Sequence, residues 1–376
     1  MTNRHARRVG LALAAVVGLT LAMAGPIDAH GPSVKVIAKH LNNPRGVAVT
    51  WDGRVLVAAA GMGGPSGYGL TGKIAAISGT HVRTLRGQLP SVISPEGEVS
   101  GVVNVAVGRD GRIVAVFGGG PQNVNPKFES LVKIRGHHTP TILADIGAYQ
   151  VTDPDPTDLD QPPNPTESNP YGVAAISHGR TLVTDAAGND LLLIHRGGKV
   201  ETVARFPNEL ITTDSLPPSL GVPPGLTLPA EAVPTSVAVG PDGYWYVGEL
   251  KGFPFQAGTS RIWRIAPWAR NVTCDPTATS GPCTLWMDGF TSIVGIAWGK
   301  NHTLYVSEIV KTGVAGLFAG TDTVGALLKV KHGVVTELVP GRLTAPGGVA
   351  VGRNGNIYVT NNSVSIGGGE VLRIKP

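Results

Sequence analysis

One pattern recurs six times along this 376-residue chain and constrains its fold more than any other feature: an apolar run, a tight turn and a second apolar run. The copies are GVAVTWDGRVLVAA from Gly46, NVAVGRDGRIVAVF from Asn104, GVAAISHGRTLVTD from Gly172, SVAVGPDGYWYVGE from Ser236, GIAWGKNHTLYVSE from Gly295 and GVAVGRNGNIYVTN from Gly348. Their starts lie 58, 68, 64, 59 and 53 residues apart. Four of the turns carry Asp-Gly or Asn-Gly, residues that accept the positive φ of a hairpin turn at low cost. A third strand follows each copy (KIAAI, SLVKI, DLLLI, SRIWRI, ALLKV and EVLRI), and often a fourth, as in VETVARF and VVTELV.

Six repeats of four antiparallel strands predict an all-β fold, a six-bladed β-propeller, which protects its strand edges by closing into a ring. The last copy stops at EVLRIKP with three strands, while SVKVIAKHL (residues 33–41) stands alone ahead of the first. That N-terminal strand is expected to complete the last blade. Composition agrees: 52 glycines and 30 prolines punctuate short apolar runs, and helical periodicity is scarce. Turns between first and second strands are short, as are most between third and fourth. The long connections, among them GMGGPSGYGLTG, KGFPFQAG and the linkers DIGAYQVTDPDPTDLDQPPNPTES and NELITTDSLPPSLGVPPGLTLPAEA, fall by strand alternation on one face. One face is therefore plain and the other loop-rich, and loops on a rigid scaffold are where binding concentrates.

The N-terminus reads as a secretory signal peptide over residues 1–29. Arg4, Arg7 and Arg8 precede a 16-residue apolar stretch, the breaker Gly25-Pro26, and small residues at Ala24 and Ala29 suited to cleavage. Residues 30–376 then form a single propeller domain, secreted and monomeric, with no later apolar run long enough to span a membrane. Without residues 1–29 the chain loses three Arg and one Asp, leaving 28 basic and 25 acidic side chains, a net of +3. No dense Lys/Arg run is present, so nucleic acid is not an expected partner. Cys274 and Cys283, the two cysteines, have eight residues between them in CDPTATSGPC; in an exported protein they read as a disulfide.

The segments NNPRGVAV, SNPYGVAA, VPTSVAVGPDGYWYVGELKGFPF and GFTSIVGIAW resemble the ScyD/ScyE family of secreted propellers and, more distantly, NHL and gluconolactonase/paraoxonase-type propellers. The resemblance spans nearly all of residues 30–376 and implies the fold without implying a reaction. Lactonase-type relatives hold calcium at the channel mouth through Glu, Asn and Asp just before the first strands. The corresponding residues here are Arg45, Val103, Tyr171, Thr235, Val294 and Gly347. None is a carboxylate or amide, whereas calcium takes six to eight oxygens, several of them charged. A lactonase of that design is disfavoured.

A second column closes the second strands on the loop-rich face: Ala59, Phe117, Asp185, Glu249, Glu308 and Asn361. Its polar members are candidates for ligand contact, but the preferred reading is that they anchor loops through backbone N–H groups. Arg45, Tyr171, Phe253 and Phe255 complete the candidate ligand-binding set, with Tyr68 and Phe318 placed beside the same face; Trp245 falls in or beside the loop-rich half too, but it and Trp298 are read as core packing between blades. DPDPTDLD (153–160) lacks the Gly and terminal Glu of a calcium loop and reads as a solvated acidic linker. His137-His138 read as a surface pair. No Gly-x-Ser-x-Gly elbow or Cys/His nucleophile pair is present, so no catalytic residue or metal ligand is assigned. The expected function is a binding or interaction protein for an unidentified small molecule or extracellular protein. The alternative is a hydrolase or lyase with a relocated acidic site at Asp185, Glu249 and Glu308. No cofactor is required by either reading; calcium is a candidate ion for the acidic site of the alternative.

Overall fold

The computed structural model describes residues 31–376 apart from 96, 137 and 217. The predicted signal peptide, its cleavage positions and His137 therefore lie outside the described residues. The chain opens with β1 (Ser33–Leu41), then builds the first blade from β2 (Pro44–Val49), β3 (Val55–Ala59), β4 (Tyr68–Ser78) and β5 (His81–Ile93). The second blade comprises β6 (Val99–Val107), β7 (Ile113–Phe117), β8 (Ser130–Arg135) and β9 (His138–Asp145); Ser91–Ile93 of β5 also pair with Val99–Gly101 of β6, merging the two blades into one eight-stranded sheet. A short helix, α1 (Ile146–Gln150), begins the linker to the third blade: β10 (Pro170–Ala175), β11 (Thr181–Asp185), β12 (Asp190–Ile194) and β13 (Val200–Arg205).

The next linker folds back on itself as the hairpin β14 (Glu209–Thr212) and β15 (Thr227–Ala230). The fourth blade holds β16 (Pro234–Val239), β17 (Trp245–Glu249) and β18 (Ser260–Ile265); its chain then lends the two residues of β19 (Val272–Thr273) to the edge of β13 before returning as β20 (Cys283–Phe290). Cys274 and Cys283 are disulfide-bonded across this excursion, with Cα atoms 5.2 Å apart. The fifth blade is β21 (Ile293–Trp298), β22 (Leu304–Glu308), β23 (Ala326–Lys331) and β24 (Val334–Leu338), with α2 (Ala315–Phe318) in its long loop. The sixth holds β25 (Val349–Val351), β26 (Ile357–Asn361) and β27 (Gly369–Lys375), and β1 pairs antiparallel with β27 from Ser33↔Lys375 to Leu41↔Gly369.

The six first strands touch in succession, β2 on β6, β6 on β10, β10 on β16, β16 on β21, β21 on β25 and β25 on β2, which makes a ring. The glycine that opens most repeats is required by this approach. A Cβ on Gly46 would stand 2.7 Å from the Asn104 Cα; on Gly172, 2.9 Å from the Ser236 Cα; on Gly348, 3.0 Å from the Gly46 Cα. Hydroxyls fasten the same layer. Thr235 Oγ1 donates to the Ile293 carbonyl at 2.5 Å, Ser307 Oγ to that of Gly347 at 2.6 Å, and Thr360 Oγ1 to that of Arg45 at 2.7 Å.

The apolar core is divided among the six inter-blade interfaces. Successive residues of one strand face opposite neighbours: Trp245 and Val247 pack toward the third blade, Tyr246 toward the fifth. Both faces of each blade are buried, so the inner strands read as continuous apolar runs rather than alternating ones. At the plain face the turns use the chemistry anticipated. Gly53, Gly111, Gly243 and Gly355 have φ between +76° and +85°, and Asp110, Asp242 and Asn354 accept the N–H two residues on.

Because backbone blocks the added methyl, Gly46→Ala is expected to lower stability by about 1–3 kcal/mol, as overpacking does. Gly197→Ala, which meets nothing within 4 Å, should leave it unchanged; urea unfolding of the two variants measures the contrast.

Candidate functional site

Each second strand runs from the plain face to the loop-rich face, so its last residue stands at the base of the loops. Ala59, Phe117, Asp185, Glu249, Glu308 and Asn361 occupy these positions, and all six are buried. Three of the polar side chains turn to the chain entering their own blade. Asp185 accepts the Asn169 N–H and the Ser168 hydroxyl, each at 2.6 Å, and the Ala187 and Gly188 N–H groups at 3.2 Å. Glu308 accepts the Thr291 N–H at 2.7 Å, and Asn361 Oδ1 that of Thr344 at 2.8 Å. This is the anchoring geometry that short polar side chains give to irregular backbone. Burial pushes the Asp185 carboxyl up and carries that of Glu308 up to about 7.

Glu249 is placed differently, because the N–H of Val233 at the entry to its blade is taken by Asn189 Oδ1. Its carboxylate instead meets Lys251 Nζ at 2.8 Å and the indole N–H of Trp263. Lys251, 1% exposed, also lies 3.1 Å from Glu209 on β14, and Glu209 pairs with Arg261 on β18 at 2.6 Å. Charges of alternating sign thus tie β17, its loop, the linker hairpin and β18 together. Burial raises the Glu249 carboxyl while the Lys251 ammonium acts in the opposite sense. Backbone bonds from Leu250, Lys251 and Gly252 to the carbonyls of Val233, Ala232 and Glu231 fix the same loop. Lys251 and Phe255 adopt φ of +80° and +61°, conformations that cost non-glycine residues of order 1–3 kcal/mol each.

The fixed loop presents aromatic rings. Phe253 is 49% exposed and Phe318, on α2, 61% exposed. Between them sits Phe255, with ring centroids 5.8 Å from Phe253 and 5.7 Å from Phe318, both edge-on. Leu250 and Leu317 pack beneath with Val310 and Val314. Trp245 lies at the plain-face start of β17, buried against the third blade, as the core-packing reading expects. Tyr68 accepts a hydrogen bond from Asn125 at 3.2 Å, linking loops of the first two blades.

At the channel mouth, register shifts place Arg45, Val103, Tyr171, Thr235 and Val294 at β-bulges. Arg45 is half-buried and donates to the Val99 carbonyl at 3.2 Å; Tyr171 is half-buried against the core of the second and third blades. The channel below is a cavity of about 330 Å³ whose walls are aliphatic apart from Trp298, with Asn104 and Ser236 as the short polar side chains.

The acidic linker corrects the solvated reading. Asp155 is buried and holds Thr157 and Asn189; Asp153 pairs with Arg205 and Tyr149; Asp158 accepts the Asp160 and Asn164 N–H groups. These acids shape the linker and dock it on the third blade. Among the described residues no group of three or more His, Cys, Asp or Glu is arranged to hold a metal ion. Gln150 Oε1 and Asp190 Oδ1 are buried without a hydrogen-bond partner. Gln150 Nε2 bridges Asp185 and Asp190 at 3.4 and 3.2 Å. Sequence reasoning missed Lys251, Glu209 and Arg261; the pairing of Glu209 with Arg261 across 52 positions leaves no local signal.

Comparison of the whole chain with solved structures identifies a β-propeller. An oxidoreductase of Thermus thermophilus, described as a glucose dehydrogenase, aligns with a TM-score of 0.54 at 18% identity over 92% of this chain and 100% of that one. The PQQ-bound aldose sugar dehydrogenase of Streptomyces coelicolor aligns at 0.53 and 13% identity, over 92% and 98%. A protein of unknown function from Bacteroides thetaiotaomicron aligns at 0.55 and 10% identity, over 92% and 76%. No family model and no curated protein matches the chain.

Two variants probe the site. Lys251→Met leaves Glu249 and Glu209 without their shared cation and is expected to cost about 3–5 kcal/mol, as removing one partner of a buried pair does. The loss, measured by urea unfolding, should shrink as pH falls and the stranded carboxyls protonate. Glu308 carries a raised pKa in the folded state, so it takes up protons on folding between about pH 4.5 and 7. Its contribution therefore declines as pH rises through that window and stays low above it. Glu308→Gln, which retains the carbonyl acceptor for Thr291, should raise Tm at pH 8 and match the parent at pH 4.

Proposed function

We propose that this chain is a secreted, monomeric propeller of the ScyD/ScyE kind that binds a small ligand or an extracellular partner on its loop-rich face, through an apolar, ring-bearing group. The observation that carries this reading is the pair Phe253 and Phe318, about half or more exposed on a loop and a helix that are rigidly supported from beneath. Keeping two large rings in water forgoes the burial that normally stabilises them, about 25 cal/mol per Å² of apolar surface. Backbone strain at Lys251 and Phe255 adds to that cost. Exposed aromatic surface on a supported loop is the usual composition of a binding patch. The disulfide and the absence, among the described residues, of a helix long and apolar enough to cross a membrane are compatible with export after loss of residues 1–29.

A second reading rests on Glu308. Its carboxyl is brought to about 7 by burial, in the range where a general base operates at neutral pH. A hydrolase or lyase acting at the same loop-rich face would use it, with Asp185 and Glu249 as neighbours in the column. The dehydrogenase likenesses, at 18% identity and below, support the fold and leave this choice to experiment.

The test is retention on immobilised protein. The parent should retain ring-bearing compounds or proteins from culture medium, and Phe253→Ser/Phe318→Ser should lose that retention while keeping its Tm. Equal retention by both would refute the aromatic patch as the binding surface. A parallel panel of lactones and esters should show no turnover; turnover abolished in Glu308→Gln would place the second reading first.

A further inference from the structure

The plain face carries a feature that the binding reading does not use. Between the second and third blades a cleft of about 910 Å³ opens, lined by Arg109, Arg112, Lys133, Arg135 and Arg196, with His178 at its edge. Among the described residues Asp110 is the one carboxylate in its walls, and its Oδ1 accepts the Arg112 N–H at 3.1 Å. Arg112 is fixed in place: its guanidinium donates to the Gly179 carbonyl and, at 3.0 Å, to that of Arg180. Arg109, Lys133, Arg135 and Arg196 have no hydrogen bond or ion pair from their side chains among the described residues. Leu143 and Ile176 supply apolar wall.

Five cationic side chains around one concavity repel each other, and low-dielectric walls strengthen that field. Proteins offset such a charge with internal carboxylates or with a bound anion, and a single aspartate is present. Four of the five cations are arginines, whose planar forks pair bidentately with phosphoryl and carboxylate groups. The volume suits a small molecule, and four unpaired cations suit a ligand with more than one anionic group. We propose that this cleft binds a compact, multiply charged anion bearing at least two phosphoryl or carboxylate groups. The site lies on the face opposite Phe253 and Phe318, so it is separate from the binding patch proposed above.

Titration calorimetry with pyrophosphate and with citrate tests the assignment and tells phosphoryl from carboxylate recognition. At least one probe should bind with one-to-one stoichiometry and weaken as NaCl is raised from roughly 20 to roughly 150 mM, as charge pairing requires. Arg109→Glu and Arg196→Glu, both at exposed positions, should each weaken binding by about tenfold or more, with Tm preserved. Arg135→Gln supplies an independent variant with the same expectation. Binding of neither probe, or binding undiminished in all three variants, would overturn the proposal. So would binding confined to long polyphosphate and growing with chain length, which would mark a polymer surface rather than a compact site.

Discussion

Neighbouring first strands meet at one ring of six positions, Gly46, Asn104, Gly172, Ser236, Gly295 and Gly348, and at the four glycines they approach to backbone contact. No side chain fits at those glycines, and the rest follows from that restriction. The strands converge, the hydroxyls of Thr235, Ser307 and Thr360 reach the carbonyls of the next blade, and the six apolar interfaces close behind them. Each interface is made by two blades, so no blade buries both its faces unless the ring is complete. Pairing of β1 with β27 joins the N-terminal strand to the three C-terminal strands in one sheet, and the Thr360 hydroxyl bonds from that sheet to Arg45 in the first blade.

The same convergence decides where chemistry can reside. A channel walled by valine, alanine and isoleucine with one tryptophan, Trp298, and with Asn104 and Ser236 as its short polar side chains, offers little to a reacting group. Charged side chains, and the exposed rings of Phe253 and Phe318, are displaced to the two faces. On the loop-rich face they are held by a buried ion-pair chain that orients a strained loop. An apolar replacement of such a chain is often as stable or more so, so the retained charges at Glu249, Lys251, Glu209 and Arg261 are best understood as fixing one loop geometry.

The fold is legible in the sequence because its determinants are local and periodic. Asp-Gly turns, apolar pairs of strands and the lone strand at 33–41 each signal within a dozen or so residues. The identity of the column Asp185, Glu249, Glu308 and Asn361 is legible too, since strand alternation counts positions. Its burial is not, because that depends on the paths of the linkers 146–169 and 206–233, which no periodicity specifies. DPDPTDLD shows the same gap: its composition suggests solvent, while Asn189, Arg205 and Tyr149, brought by the third blade and α1, engage its acids.

The plain face shows how a closed ring creates sites that composition hides. Arg109, Lys133, Arg135 and Arg196 are dispersed over three separate segments of the chain, and a near-balanced charge count suggests no electrostatic partner. Blade geometry returns each first-to-second and third-to-fourth turn to one side, so turns from two blades deliver their cations to a shared cleft. A propeller with short plain-face turns cannot cover such a cleft with its own loops, and among the described residues Asp110 is the only carboxylate those turns provide there. The uncompensated charge is therefore a consequence of topology, and an anion from solution is what remains to balance it.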